Sequence, residues 1–207
     1  MSNFFDEHYK QYDEWYDRNK FAYLSELEAV RKILPGEGYG LEIGTGSGRF
    51  AAPLGIAVGI DPSKRMVELA RKRGVGARLG SGENLSFKDS SFDYVAMIVT
   101  LCFVRDPREV IKESARVLKK KGKIIVGIVD KDSFLGKFYR EKKSKFYEQA
   151  RFFSVNEVIG LLKEAGFGDF SHYQTLFDFP GKINSVEEPR EGFGKGGFVV
   201  ISGVKHE

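Results

Sequence analysis

The chain holds one cysteine, three histidines and no apolar run as long as eighteen residues, and each shortage removes a class of function. Cys102 alone cannot close an internal disulfide, and its apolar neighbours suit a reducing cytoplasm. Without a long apolar run or a basic–apolar–small leader, nothing indicates a membrane span or secretion. His8, His172 and His206 make no metal-ligand spacing with one another or with Cys102, so no metal is expected. Charge of one sign is also missing: 33 basic residues against 29 acidic ones leave +4, interspersed along the chain. That surplus is too mild to point to nucleic acid. What remains is a chain of 207 residues, enough for one full core and a single domain over 1–207.

The organising stretch is residues 41–50, read Leu41-Glu42-Ile43-Gly44-Thr45-Gly46-Ser47-Gly48-Arg49-Phe50. An apolar strand enters it, a short helix leaves it, and three glycines alternate with small residues. Such a turn brings backbone N–H groups to a ligand without Cβ obstruction, beside the positive end of a helix. A dinucleotide loop would place its third glycine at position 49, where this chain has Arg49. Glu42, two places before the first glycine, would repel a pyrophosphate but tolerate a cation. A plain strand–helix turn without a ligand is the alternative.

The pattern Glu42-x-Gly44-x-Gly46-x-Gly48 resembles the first motif of class I S-adenosylmethionine-dependent methyltransferases. Three later stretches, in the same order, are similar to that family as well. Asp61 lies 13 residues after Gly48 at the end of the second strand, followed by Pro62. Residues 81–95 begin Ser81-Gly82-Glu83, where the family carries Asp-Ala-Glu, and Arg116-Val117-Leu118-Lys119 leads to Gly122. The chain is identified as a member of the type 11 group, which resembles the ubiquinone and menaquinone methyltransferases.

The resemblance implies an α/β, Rossmann-like doubly wound sheet of seven strands in order 3-2-1-4-5-7-6, strand 7 antiparallel, with helices on both faces. It implies S-adenosyl-L-methionine as cofactor, methyl transfer to a small-molecule acceptor by in-line displacement, and S-adenosyl-L-homocysteine as product. The loop residues Glu42, Gly44, Thr45, Gly46 and Gly48 would cradle the methionyl part, and Asp61 with Pro62 would meet the ribose. Ser81, Gly82 and Glu83 would meet the adenine, and Thr100, ending the fourth strand, would complete the set. A Ser81 oxygen can accept from an exocyclic amine, and the Gly82 N–H can reach a ring nitrogen. A cofactor-binding module without catalysis is the second reading, and a nicotinamide oxidoreductase, disfavoured by Arg49 and Glu42, the third.

The chain around these motifs supplies the rest. Residues 3–17 read as an aromatic-rich helix with Tyr12 and Tyr16, and the spacing of Leu24, Leu27, Val30 and Leu34 predicts a second helix over 22–34. Residues 1–35 thus form a helical lid segment, whose Tyr12 or Tyr16 either packs in the core or faces the cofactor or substrate. Strands are expected at 56–60, 77–79, 92–99, 123–129 and 169–176, with helices at 64–73 and, after Asp106-Pro107, up to the stop at Gly122. A capping box of Ser154 and Glu157 opens a helix over 154–165. The final apolar strand, 198–201, is read as buried on both faces.

Segments 130–153 and 180–197 are expected on the substrate side. The first carries Asp130 and a lysine run over 137–145; the second holds five glycines and Phe193, its most plausible contact. No catalytic residue is assigned, because a sulfonium methyl is already activated. Alignment of the acceptor can supply roughly 7–11 kcal/mol. Where an acceptor holds its proton, Asp130, Tyr16 and His172 are the candidate bases. The histidines that such methyltransferases often carry after the fourth strand are replaced by Cys102 and Phe103. Cys102 is read as core rather than as a nucleophile.

Overall fold

A computed structural model describes residues 2–142 and 144–206. Met1 and Glu207, the ends of the expected domain, and Lys143 of the lysine run lie outside the described residues.

Two helices, α1 (Ser2–Arg18) and α2 (Lys20–Ile33), precede the sheet. Strand β1 (Gly40–Ile43) runs through the glycine loop into α3 (Ala51–Leu54), which is only four residues long because Gly55, in the left-handed region, ends it. Then follow β2 (Val58–Asp61), α4 (Lys64–Lys72), β3 (Gly76–Leu79), β4 (Phe92–Ile98), α5 (Pro107–Val117) and β5 (Leu118–Val129). The chain finishes with α6 (Phe134–Glu141), α7 (Val155–Glu164), β6 (Phe167–Thr175), β7 (Arg190–Glu191) and β8 (Phe198–Lys205).

The sheet order is β3-β2-β1-β4-β5-β8-β6-β7. This is the expected 3-2-1-4-5-7-6 arrangement, with β8 in the place of the seventh strand, plus one two-residue strand at the edge. β8 runs antiparallel to both β5 and β6, while β1 to β5 pair in parallel. The extra strand β7 pairs through Tyr173 with Glu191 and Gln174 with Arg190. Two residues are too few to leave a period in the sequence.

Both faces of the sheet are covered, which is why the central strands read as continuous apolar runs. Val95 and Met97 of β4 pack with α5 and α7, while Ala96 and Ile98 pack with α2 and α4. Side chains alternate across a strand, so each face receives every second residue.

Strand ends shift from the sequence reading, as with 56–60, which is Val58–Asp61, and 198–201, which extends to Lys205, and two helices differ more. Helix α5 stops at Val117, not at Gly122. Leu118 already pairs with Phe92, and Lys119 to Lys121 bulge out before Lys123 pairs with Tyr94. In α2 the buried residues include Ala22, Glu26, Ala29, Val30 and Ile33, whereas Leu24 and Leu34 are only partly buried. The capping box forms: Glu157 N–H donates to Ser154 Oγ, and Ser154 N–H to the Glu157 carboxylate.

Candidate active site

A cleft of about 540 Å³ opens where β1, β2 and β4 end. Gly44, Gly46, Asp61, Pro62, Ser81, Gly82, Glu83 and Thr100 line it. Gly46 has φ +52°, and a Cβ there would stand in open space, so its bare backbone faces the cleft. Its N–H donates to Asp61 Oδ2 at 2.9 Å, and Ser63 N–H donates to Oδ1 at 2.8 Å. These two bonds aim the carboxylate and leave lone pairs free for hydroxyl donors. Burial pushes the Asp61 carboxyl up to about 6, against the opposing pull of the two N–H donors.

Glycine is required at two wall positions by contact. A Cβ on Gly44 would lie 2.2 Å from Thr100 Cγ2, and the Thr100 hydroxyl donates to Gly44 O at 3.2 Å. A Cβ on Gly82 would lie 2.7 Å from Ile43 Cγ2. Core contact therefore explains why glycine stands where the resembling family carries alanine. Ser81 donates its hydroxyl to Glu83, whose other oxygen accepts from Arg105 N–H at 2.9 Å. Burial would raise the Glu83 carboxyl, but these donors hold it below its ordinary value.

Three loop residues expected in the cleft do not line it. Glu42 is buried beneath the loop, where its carboxylate accepts from Thr45 Oγ1 at 2.8 Å and from the Ala51 N–H. Burial pushes it up to about 8. Thr45 turns inward on that bond and donates its N–H to Ile60 O. Gly48 faces α4, where a Cβ would stand 3.1 Å from Ala70 Cα. Glu42 and Thr45 brace the loop, and Gly48 lets it pack on a helix.

A second cavity, about 270 Å³, adjoins the cleft and shares Tyr12, Val99, Thr100 and Phe103 with it. Val99 sits at this junction with φ +52°, an outlier for a β-branched residue, held by its N–H to Gly127 O at 2.8 Å. Aromatic residues wall the cavity: Tyr12, Trp15 and Tyr16 from α1, Tyr139 from α6, and Tyr147, Phe152 and Phe153 beyond it. The Tyr16 hydroxyl donates to Tyr12 at 3.3 Å, and Tyr139 stacks on Tyr147 with centroids 4.2 Å apart. Burial raises both the Tyr12 and Tyr16 phenols.

Helix α1 covers both spaces and is clamped to the glycine loop. Arg49 grips Asp13 through Nε at 2.9 Å and Nη2 at 3.0 Å, and Asp17 at 2.7 Å. Arg73 adds a bond to Asp13 at 2.7 Å, and Ser47 donates its hydroxyl to the same carboxylate. Asp6 accepts from Ser63 Oγ at 2.6 Å and from Arg65 N–H at 3.0 Å at the start of α4. The residue in the third-glycine position thus anchors a helix.

Asp130, Phe193 and His172 are not brought to either cavity. Asp130 is 3% exposed and accepts from Asp132 N–H at 3.2 Å, holding the turn between β5 and α6. Phe193 packs its ring on His172 at 5.0 Å on the far edge of the sheet. Segment 180–197 lines neither space. It is tied down because Gln174 accepts from Lys195 and Gly196 N–H, and Glu187 from Phe177 N–H. Cys102 lines the second cavity, half-buried rather than in the core, and burial pushes its thiol up to about 12.

One residue of the cavity had no place in the sequence reading. Glu26 of α2 is 3% exposed and accepts no hydrogen bond from any described side chain or backbone outside its helix. Desolvation alone pushes it up to about 8. Its signal was present: Ala22, Glu26, Ala29, Val30 and Ile33 share one helical stripe, which places a carboxyl on the apolar face.

The geometry can be compared with known proteins. A methyltransferase domain family matches residues 41–126. A solved structure of an S-adenosylmethionine-dependent methyltransferase from Thermotoga maritima, described as a possible histamine N-methyltransferase, is 51% identical. It superposes with a TM-score of 0.96 over 99% of each chain. An uncharacterised protein of Methanocaldococcus jannaschii is 49% identical over 98% of this chain and 99% of its own. A demethylmenaquinone methyltransferase of Thermotoga maritima is 35% identical over 42% of this chain and 41% of its own. Among the described residues no helix is long and apolar enough to cross a membrane. With the sheet order, the glycine loop and near-complete coverage by a 51% identical methyltransferase, the chain belongs to the S-adenosylmethionine-dependent methyltransferases.

Proposed function

We propose that the larger cleft holds S-adenosylmethionine and that the aromatic cavity beside it takes a small-molecule acceptor. The carrying observation is that the two spaces share one wall, made by Tyr12, Val99, Thr100 and Phe103. A nucleophile in the second space therefore meets a group held in the first without crossing solvent. Asp61 would accept from the ribose hydroxyls, the Gly46 backbone would approach the methionyl part, and Ser81 with the Gly82 N–H would meet the adenine edge. The bound cofactor supplies a sulfonium methyl that needs no further activation.

The chain's own contribution is alignment and exclusion of water. Helix α1 roofs both spaces, Phe5 packs on Phe103 with centroids 5.1 Å apart, and Val99 is held in a strained conformation at the shared wall. Such orientation can be worth roughly 7–11 kcal/mol. No described residue at the shared wall offers an ionised base at neutral pH, since burial keeps the Tyr12 phenol protonated, and Cys102 in the adjoining cavity likewise stays a thiol. Isothermal titration with S-adenosylmethionine, S-adenosylhomocysteine and NAD tests the reading. Micromolar binding of the first two without an NAD signal is the expected result. NAD binding alone, or silence from all three, would overturn it.

A further inference from the structure

Helix α2 carries adjacent buried polar residues that behave differently. Ser25 donates its hydroxyl to Phe21 O at 2.7 Å and accepts from Glu187 N–H at 2.8 Å. Glu26, equally buried, lines the aromatic cavity and has no such partner. An unpaired buried carboxyl costs several kcal/mol when ionised and a lost hydrogen bond even when neutral. Leucine or glutamine would be the more stable residue for a core. A carboxyl kept there without a protein partner is a group reserved for a ligand.

The surroundings say which ligand. Tyr12, Tyr16, Tyr139 and Tyr147 line the same cavity as Glu26. Aromatic faces attract cations and have nothing to offer an anion. A carboxylate within a ring of aromatic faces is complementary to an ammonium and repels another carboxylate. The other charged groups on this cavity, Arg18 and Lys142, are exposed at its rim, with the Lys142 ammonium over the Phe138 ring at 5.5 Å. They leave the interior to Glu26.

We propose that the acceptor is a small organic amine and that Glu26 is the carboxylate that holds its amino group inside the tyrosine cage. The inference rests on the aromatic cavity being the acceptor site. An amine entering as its ammonium places its charge on Glu26 and its N–H donors on the unused oxygens. Burial raises the Glu26 carboxyl in the empty cavity, and an ammonium beside it favours the ionised form, so amine binding is accompanied by loss of the Glu26 proton. Neutral alcohols would forgo the ion pair, and an acid would have to bury a second carboxyl there with no cation beside it.

The test uses the whole protein saturated with S-adenosylhomocysteine and three probes of one shape: 2-phenylethylamine, 2-phenylethanol and phenylacetate. Calorimetry at pH 7 should show the amine binding at least tenfold tighter than the alcohol, with the acid weaker still. Glu26→Gln should erase that order while leaving S-adenosylhomocysteine affinity unchanged. A second measurement does not depend on the variant: on wild-type protein, ammonium-bearing probes should protect Tyr12 and Tyr139 resonances that the alcohol leaves unshifted. Equal affinity for amine and alcohol, or an amine preference that survives in Glu26→Gln, would overturn the proposal. Failure of S-adenosylhomocysteine to bind wild-type protein would instead overturn the cofactor reading beneath it.

Discussion

Cofactor affinity is expected to depend on pH through Asp61, and the structure gives the direction. The carboxylate is 8% exposed and accepts from Gly46 N–H at 2.9 Å and Ser63 N–H at 2.8 Å. Burial nevertheless holds it up near 6. Ribose hydroxyls donate, so they favour the ionised form. Below pH 6 the free protein must first release a proton, and each further unit of acidity costs about 1.4 kcal/mol, or tenfold in affinity. Titration with S-adenosylhomocysteine should therefore show a plateau above pH 7 and a Kd about tenfold weaker at pH 5. The binding enthalpy at pH 5 should also vary with the ionisation enthalpy of the buffer, because the displaced proton is taken up there. Asp61→Asn, which keeps the shape but cannot ionise, should flatten the profile. It should also weaken binding at pH 7 by about tenfold or more, since hydrogen bonds to a charged acceptor are worth about 1.5–3 kcal/mol each. An affinity that stays constant from pH 5 to 7, or a slope that persists in Asp61→Asn, would refute the assignment.

Asp13→Ala removes the carboxylate that Arg49, Arg73 and Ser47 share; it should cost about 1.5–3 kcal/mol and speed amide exchange in α1 before the sheet, as read by mass spectrometry. Gly44→Ala and Gly46→Ala should separate folding from binding. The first drives a Cβ to 2.2 Å from Thr100 Cγ2 and should lower the melting temperature more. The second meets no atom within 4 Å, costs only the left-handed penalty of about 1–2 kcal/mol, and should chiefly weaken S-adenosylhomocysteine binding in calorimetry.

The sheet was legible because its strands obey simple rules. Tyr94 to Ile98 is apolar on successive positions, as a strand buried on both faces demands. The place of the glycine loop after β1 and of Asp61 at the end of β2 was legible because backbone geometry, not side-chain packing, fixes it. Within the loop, sequence could not say which glycine faces the cleft: Gly46 looks out, while Gly48 looks at Ala70. Glu42 was read as a ligand group when it is a brace, because a one-residue change of direction along a turn reverses inside and outside. Asp130 and Phe193 failed for a different reason. Asp130 follows the end of β5, but its bond from Asp132 N–H keeps it in the β5–α6 turn, and the pairing of β7 with β6 carries Phe193 onto His172 at the sheet edge. Glu26 was overlooked because the stripe of Leu24, Leu27, Val30 and Leu34 looked sufficient for a helix, and the true buried stripe lies one residue over.

The acids around the site form a series that relates burial to role. A carboxylate can accept about four hydrogen bonds. Glu42, Asp61 and Glu26 are all nearly inaccessible, and burial raises all three. Glu42 takes bonds from Thr45 and Ala51 and faces no cavity, so its capacity is spent within the protein. Asp61 takes two N–H bonds and faces the cleft, so part of its capacity remains for a ligand that donates. Glu26 takes none and faces the aromatic cavity, so all of it remains. Desolvation alone does not distinguish the brace from the groups that face the cavities, since Glu42 and Glu26 are raised alike. Unspent acceptor capacity pointing into space does, and it runs from the loop beneath the cofactor cleft to the cavity beside it.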